Sequence, residues 1–227
     1  HIERHKTIKK YVKAKFKLLK NQSKGNSAFI KKNDVLTLKE LKLNKFDSEI
    51  IKVDTQKNQN FLKQINNNYF LTETNKENLC FVIEISKKLK LKRYLLLKTI
   101  QKFKGLNYRQ QIIFKNDKLT IINDSKSTSF ASSVGTLKTY QNIHWLLGGL
   151  NKKGDKLNLS KKYFKNINAY IFGKNKKFFN KKLNKKIKYK NFKNLKDALK
   201  KVCSIVKKNK FPYHAILFSP SAASFDS

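Results

Sequence analysis

The sequence predicts an α/β protein in two units, the second of them Rossmann-like with a mostly parallel sheet. Beyond residue 110, short apolar runs bounded by polar loops alternate with segments of helical period, the pattern of a parallel sheet. Before it, two well-marked helical segments lead up to Gly105. The change of pattern at that glycine puts the boundary there, giving units 1–104 and 105–227.

In order, Thr7 to Lys20 is helical by period. Ile8, Tyr11, Val12, Phe16 and Leu19 fall on one side and Lys9, Lys10, Lys13, Lys17 and Lys20 on the other. Lys15 breaks the pattern by standing in the apolar stripe. Such a lysine either snorkels to water or is a desolvated amine able to react. Residues 21–74 hold short apolar runs (AFI, DVLTL, EIIKV, NYFLT) that fit several strands and a helix. Helices are predicted over about 76–90 and 93–103. QQIIFK and KLTII flank Asn116-Asp117 as a hairpin. A helix over 131–140, a strand at 144–147, a Gly148-Gly149 turn, a strand at 169–172, a helix at 195–207 and a strand at 213–218 complete the series.

The formal net charge is +39, yet only three of the 53 basic residues are arginine, namely Arg4, Arg93 and Arg109. Nucleic-acid surfaces favour the guanidinium fork, and here lysine is spread along the whole chain with abundant Asn and Ile. Drift under a coding sequence rich in A and T accounts for this better than a nucleic-acid footprint, so no nucleic-acid partner is expected. No apolar stretch long enough to span a membrane is present, and no signal peptide is evident. Cys80 and Cys203 read as buried free thiols of a cytoplasmic protein. With no methionine and a start at His1, the chain reads as a piece of a longer polypeptide.

Three polar loops follow strands of the second unit: NDSKSTS (123–129), GGLNKKGD (148–155) and SPSAASFDS (219–227). Ligands of parallel α/β sheets bind beyond the carboxyl ends of the strands. Two lysine clusters and many hydroxyls there suit a phosphate or carboxylate ligand. FKGLNYR (103–109), NDSKSTS, GG-x-x-K (148–152) and SPSAASFD occur in that order. Together they resemble the C-terminal domain of the Mur ligases, whose loops read F-x-G-L-P-H-R, N-D-S-K-A-T-N, G-G-x-x-K and S-P-A-C-A-S-x-D. The opening H-I-E-R-H-x(5)-Y-V-x-A-K is similar to the family's H-L-D-R-H-x(5)-Y-x-x-A-K. The NDSK loop points to the branch that adds D-glutamate to UDP-N-acetylmuramoyl-L-alanine.

That resemblance implies the C-terminal part of a central ATPase-type α/β domain followed by the glutamate-ligase domain. It implies a cytoplasmic, monomeric, ATP- and Mg2+-dependent ligase of peptidoglycan precursor synthesis, forming a C–N bond through an acyl phosphate. Lys15 matches a carbamylated, metal-binding lysine and His1 a metal-ligating histidine. Asn75 and Asn78 match residues beside adenine, although their spacing also suits helix capping. Arg109 would meet the nucleotide phosphates, Asp124 the ribose, and Lys126 a phosphate and the acyl intermediate. Thr128, Lys152, Ser224 and Phe225 would form the D-glutamate pocket, with Lys153 as the alternative to Lys152. Asn107-Tyr108 replaces the family's Pro-His, which alters the local shape beside Arg109. The family's phosphate loop and uridine-nucleotide domain would precede His1 and a short tail would follow Ser227, so the 227 residues alone are expected to be inactive. A basic RNA-binding module and a Mur-type ligase for another amino acid remain the alternatives.

Overall fold

The computed structural model describes residues 2–152, 154–208 and 211–223. It divides into two compact units, His1–Phe103 and Lys104–Ser227.

The first unit opens with a short helix α1 (Ile2–His5) and then α2 (Ile8–Lys20). Thr7 caps α2 by accepting a hydrogen bond from the Lys10 amide at 3.2 Å, and Phe16 is its buried side chain. Strands β1 (Ser27–Lys31) and β2 (Glu49–Val53) pair in parallel, with α3 (Val35–Lys42) between them in sequence. A one-turn helix α4 (Gln59–Leu62) and a 3-10 turn at Asn68–Leu71 lead to α5 (Glu73–Lys88) and α6 (Arg93–Lys102). Phe61, Leu79, Ile83 and Ile100 form the core they share.

Two readings left open by the sequence narrow in this unit. Lys15 is exposed, with its ammonium 5.7 Å from the centre of the Tyr11 ring, so it snorkels along the stripe instead of being desolvated. Neither Asn75 nor Asn78 caps α5. The cap is Thr72, whose hydroxyl accepts from the Asn75 amide, so the helix starts at Glu73 and not Lys76.

The second unit is a six-stranded sheet in the order β3-β4-β8-β5-β6-β7. Strands β3 (Gln111–Lys115) and β4 (Leu119–Asn123) form the antiparallel hairpin, and every other pairing is parallel. The carboxamide oxygen of Asn116 accepts from the amides of Lys118 and Leu119 and closes the hairpin turn. Strand β5 (Ile143–Gly148) is buried along its whole length, as a strand covered on both faces must be. Ile143, Trp145 and Leu147 point to one face with β6 (Ile167–Phe172) residues Ala169 and Ile171. That face is covered by α7 (Phe130–Thr139) and α8 (Lys176–Leu183). Leu146, Tyr170, Phe172 and Ile216 point to the other, covered by α9 (Leu195–Lys208) through Ala198 and Val202. The chain steps outward from β4 to β7 (Lys188–Asn191), then returns through α9 to place β8 (His214–Phe218) between β4 and β5. The three polar loops therefore leave three adjacent strands at the same edge.

Cys80 is buried as expected, but Cys203 is exposed on the outer side of α9. Among the described residues, no helix is long and apolar enough to cross a membrane.

Candidate functional site

The loop after β4 bends without glycine or proline because its own side chains make the turn. The Asn123 carboxamide accepts from the Ser125 amide at 3.1 Å, and the Ser127 amide reaches back to the Asp124 carbonyl at 2.9 Å. Ser129 then caps α7, with Ser132 reciprocating in a capping box. Most of the polar side chains of this loop are thus structural. Lys126 is left exposed and Thr128 half-buried.

The neighbouring loops are tied to it. Asp124 donates its amide to the Phe218 carbonyl at 2.7 Å, and Ser221 donates its amide to the Ser127 carbonyl at 2.9 Å. Leu150 and Ala223 exchange backbone bonds of 2.8 and 2.9 Å, which draws the loops after β5 and β8 together. Gly149 is required there: at φ +121° it passes so close to β8's loop that a Cβ would stand 2.4 Å from the Ala223 carbonyl oxygen. Two residues of the expected glutamate pocket meet across this junction, where Lys152 Nζ donates to Thr128 Oγ1 at 3.0 Å. Thr128 keeps its own proton to donate, and the ammonium retains further N–H groups, so both can grip one carboxylate.

On the other flank, the Tyr108 carbonyl accepts from the Lys126 amide at 3.0 Å, and the Gln110 amide donates to Asp124 Oδ1 at 3.1 Å. Tyr108 and Gln110 both take left-handed backbone angles (φ 65° and 49°) and bracket Arg109, which is exposed. Asp124 is buried, and burial pushes its carboxyl up to about 6; the Gln110 amide, the Ser219 hydroxyl and the charge of Arg109 all pull it down. Above that value it is a buried acceptor beside two exposed cations.

The structure thus brings together Arg109, Asp124, Lys126, Thr128 and Lys152. Lys15, Asn75 and Asn78 belong to the first unit. There the Asn75 side chain is buried and donates to the Tyr69 carbonyl at 2.6 Å, while Asn78 is exposed. His1, Lys153, Ser224 and Phe225 lie outside the described residues. Among the described residues, no three His, Cys, Asp or Glu side chains meet in a group that could hold a metal ion. Lys15 is exposed, and His1, its expected partner at a cation, lies outside the described residues.

Reading from sequence overlooked Asp155, whose Oδ2 accepts from the Phe130 amide at 2.7 Å and fastens the lysine loop to the first turn of α7. Residues 104–227 contain five aspartates and no glutamate, a scarcity that would have singled it out. Also overlooked were Ser133, Ser219 and Ser221, buried behind the loops. A cavity of ≈ 440 Å³ opens at the opposite, amino ends of the strands, beside His144 and Tyr170. Its lysines (Lys165, Lys188 and Lys190) are what a chain of this composition puts on any surface.

Residues 1–97 match the Mur ligase middle domain. Over its whole length the chain is 28% identical to the UDP-N-acetylmuramoylalanine–D-glutamate ligase of Wolbachia from Brugia malayi, of which it covers 48%. Over 78% of the chain it is 33% identical to the ligase of the same name from Francisella tularensis, covering 43% of that protein. The chain spans about half the length of these curated relatives. In fold it is similar to the MurF ligase of Thermotoga maritima in complex with ADP, at a TM-score of 0.69 and 12% identity over 98% of this chain and 56% of that one.

Proposed function

Since the chain belongs to the Mur ligase family, we propose that it forms part of an ATP-dependent ligase joining D-glutamate to UDP-N-acetylmuramoyl-L-alanine. The observation that carries this reading is the 3.0 Å bond from Lys152 to Thr128, which unites the GG-x-x-K and NDSKSTS loops at the carboxyl edge of the sheet. Those loops are the ones expected to bind D-glutamate.

In the proposed reaction a substrate carboxylate attacks the γ-phosphorus of ATP, giving an acyl phosphate and ADP. The amine of D-glutamate then attacks the acyl carbon, and the tetrahedral intermediate expels phosphate. Positioning and charge do most of this work. Lys126, exposed on a braced turn, supplies a mobile ammonium to the transferring phosphoryl group and to the oxygen of the acyl intermediate. Arg109 is fixed beside it through Tyr108 and Gln110, so its guanidinium suits a phosphate of the nucleotide. Asp124 is ionised near neutrality and held by donors on both oxygens, and each oxygen keeps a lone pair for a ribose hydroxyl. Lys152 and Thr128 place the amino acid by its carboxylate, leaving its amine turned to the acyl carbon. No G-x-x-x-x-G-K-[ST] motif occurs in the 227 residues, so in this reading another part of the polypeptide supplies the phosphate loop.

The test is phosphate release by the complete polypeptide that carries these residues, with UDP-N-acetylmuramoyl-L-alanine, ATP and one of three amino acids. D-glutamate should be the preferred acceptor over L-glutamate and diaminopimelate. Preference for either of the others would assign the chain to a different branch, and a Lys126→Ala form with full activity would remove the site assignment.

A further inference from the structure

Behind the three loops lies a hydroxyl network that the proposed chemistry leaves unused. Ser133, on α7, is fully buried, and its Oγ stands 2.9 Å from Ser127 Oγ, 2.7 Å from Ser219 Oγ and 2.6 Å from Ser221 Oγ. Ser127 belongs to the loop after β4, and Ser219 and Ser221 belong to the loop after β8. The Ser219 hydroxyl in turn donates to Asp124 Oδ2 at 3.2 Å.

A hydroxyl has one proton and two lone pairs, so the three close hydroxyls saturate Ser133, and the Ser129 carbonyl, 3.5 Å away, competes only weakly for its proton. The order of protons follows from one end. While Asp124 is ionised it can only accept, so Ser219 must donate to it. Ser219 then takes its own bond from Ser133, which is left to accept from Ser221 and Ser127. The single proton of Ser127 is shared between Ser133 and Ser132, 2.8 Å away. A protonated Asp124 could donate to Ser219, which would then donate to Ser133 and free the proton of Ser133 for one of Ser127 and Ser221. Arg109 is the charged neighbour that favours the ionised form, and Lys126 follows two residues later on the same loop.

We propose that Ser133 is a positioning residue that holds the loops after β4 and β8 in one register and couples the charge on Asp124 to Ser127, the residue before Thr128. The ligase reading supplies the names of the two sides, nucleotide for Asp124 and amino acid for Thr128. The network itself does not depend on that reading.

The experiment uses the 227-residue chain without ligand. It follows amide exchange at Ser127 and Ser221, whose amides donate to the Asp124 and Ser127 carbonyls, and the side-chain carboxyl carbon resonance of Asp124 against pH. In Ser133→Ala both amides should exchange about tenfold faster relative to those of β5 and β6. The Asp124 midpoint should move upward, because Ser219 loses the donor that strengthens its own bond to the carboxylate. Ser133→Thr, which keeps the hydroxyl, should restore the midpoint. Ser221→Ala, which leaves Ser219 and its bond to Asp124 in place but removes a donor to Ser133, should raise the midpoint also, and it stands in should Ser133→Ala fail to fold. An Asp124 midpoint unmoved in both alanine variants overturns the proposal, as does exchange that rises equally throughout the sheet. ADP added to the wild-type chain separates the two readings. No response at Asp124 counts against the nucleotide assignment alone, and unmoved midpoints in the variants count against the network alone.

Discussion

Lys152 and Thr128 show how much meaning a single hydrogen bond can carry. From sequence, the run NKKGD allowed either of two lysines to serve the pocket. Lys152 reaches the neighbouring loop close to the backbone pairing of Leu150 with Ala223, 73 positions away in sequence, while Lys153 lies outside the described residues. A bond to a charged donor is worth about 1.5–3 kcal/mol. In the ligase proposed above, Lys152→Ala should therefore raise KM for D-glutamate roughly 10- to 100-fold, and Thr128→Val by less, with kcat reduced to a smaller degree. Initial rates at varied D-glutamate check this. An unchanged KM in Lys152→Ala would transfer the role elsewhere. Lys15 teaches the converse: its place in the stripe was legible, but period left exposure and desolvation both open, because a four-carbon stem can lie along apolar surface and still reach water.

Elements were legible where apolar residues were dense. Strand β5, apolar from Ile143 to Leu147 apart from His144, and α9, with Ala198 and Val202 at its centre, declared themselves by period. Helix α8 and strand β7 did not, since KKFFNKKLNKKIKYKN dilutes five inward-facing residues among lysines. Phe179 and Leu183 are nevertheless fully buried one turn apart, and Lys188 and Lys190 sit on an edge strand, where charge blocks further pairing. The site loops were legible as motifs, but their convergence came from the strand order, which places β8 between β4 and β5. Two glycines in the β5 loop separate geometry from composition. Gly149→Ala drives a Cβ to 2.4 Å from a carbonyl oxygen, whereas at Gly154, with φ +77°, nothing lies within 4 Å. Gly149→Ala should destabilise the second unit by ~2–4 kcal/mol, and Gly154→Ala by only ~1 kcal/mol. Urea unfolding followed by fluorescence checks both, and equal losses would show that the β5–β8 contact does not need a glycine.

At the scale of the molecule, a charge of +39 leaves few groups to set the response to acid. The second unit holds the chain's single tryptophan, Trp145, in its core, so its unfolding can be followed separately. Two buried groups there pull in opposite directions. Asp124 has its carboxyl raised to about 6 from the ordinary 3.8, so the folded state binds that proton more tightly. The stability it contributes is complete below pH ~4 and is lost as pH rises through 6. His144 bonds to the Tyr170 hydroxyl and to His214, and burial, with a smaller effect from His214, lowers it to about 4 from 6.5. The folded state refuses that proton, so its contribution is complete above pH ~6.5 and is lost as pH falls towards 4. Each is worth about 1–3 kcal/mol, and between pH 4 and 6 the two slopes oppose each other. The wild-type chain should therefore show a nearly flat urea midpoint across that range when Trp145 fluorescence is followed. Asp124→Asn removes the falling contribution and should leave a midpoint that climbs steadily from pH 4 to 6.5. His144→Gln removes the climbing one and should leave a midpoint that declines over the same interval. Parallel profiles for all three proteins would mean that neither group is held away from water as the fold requires.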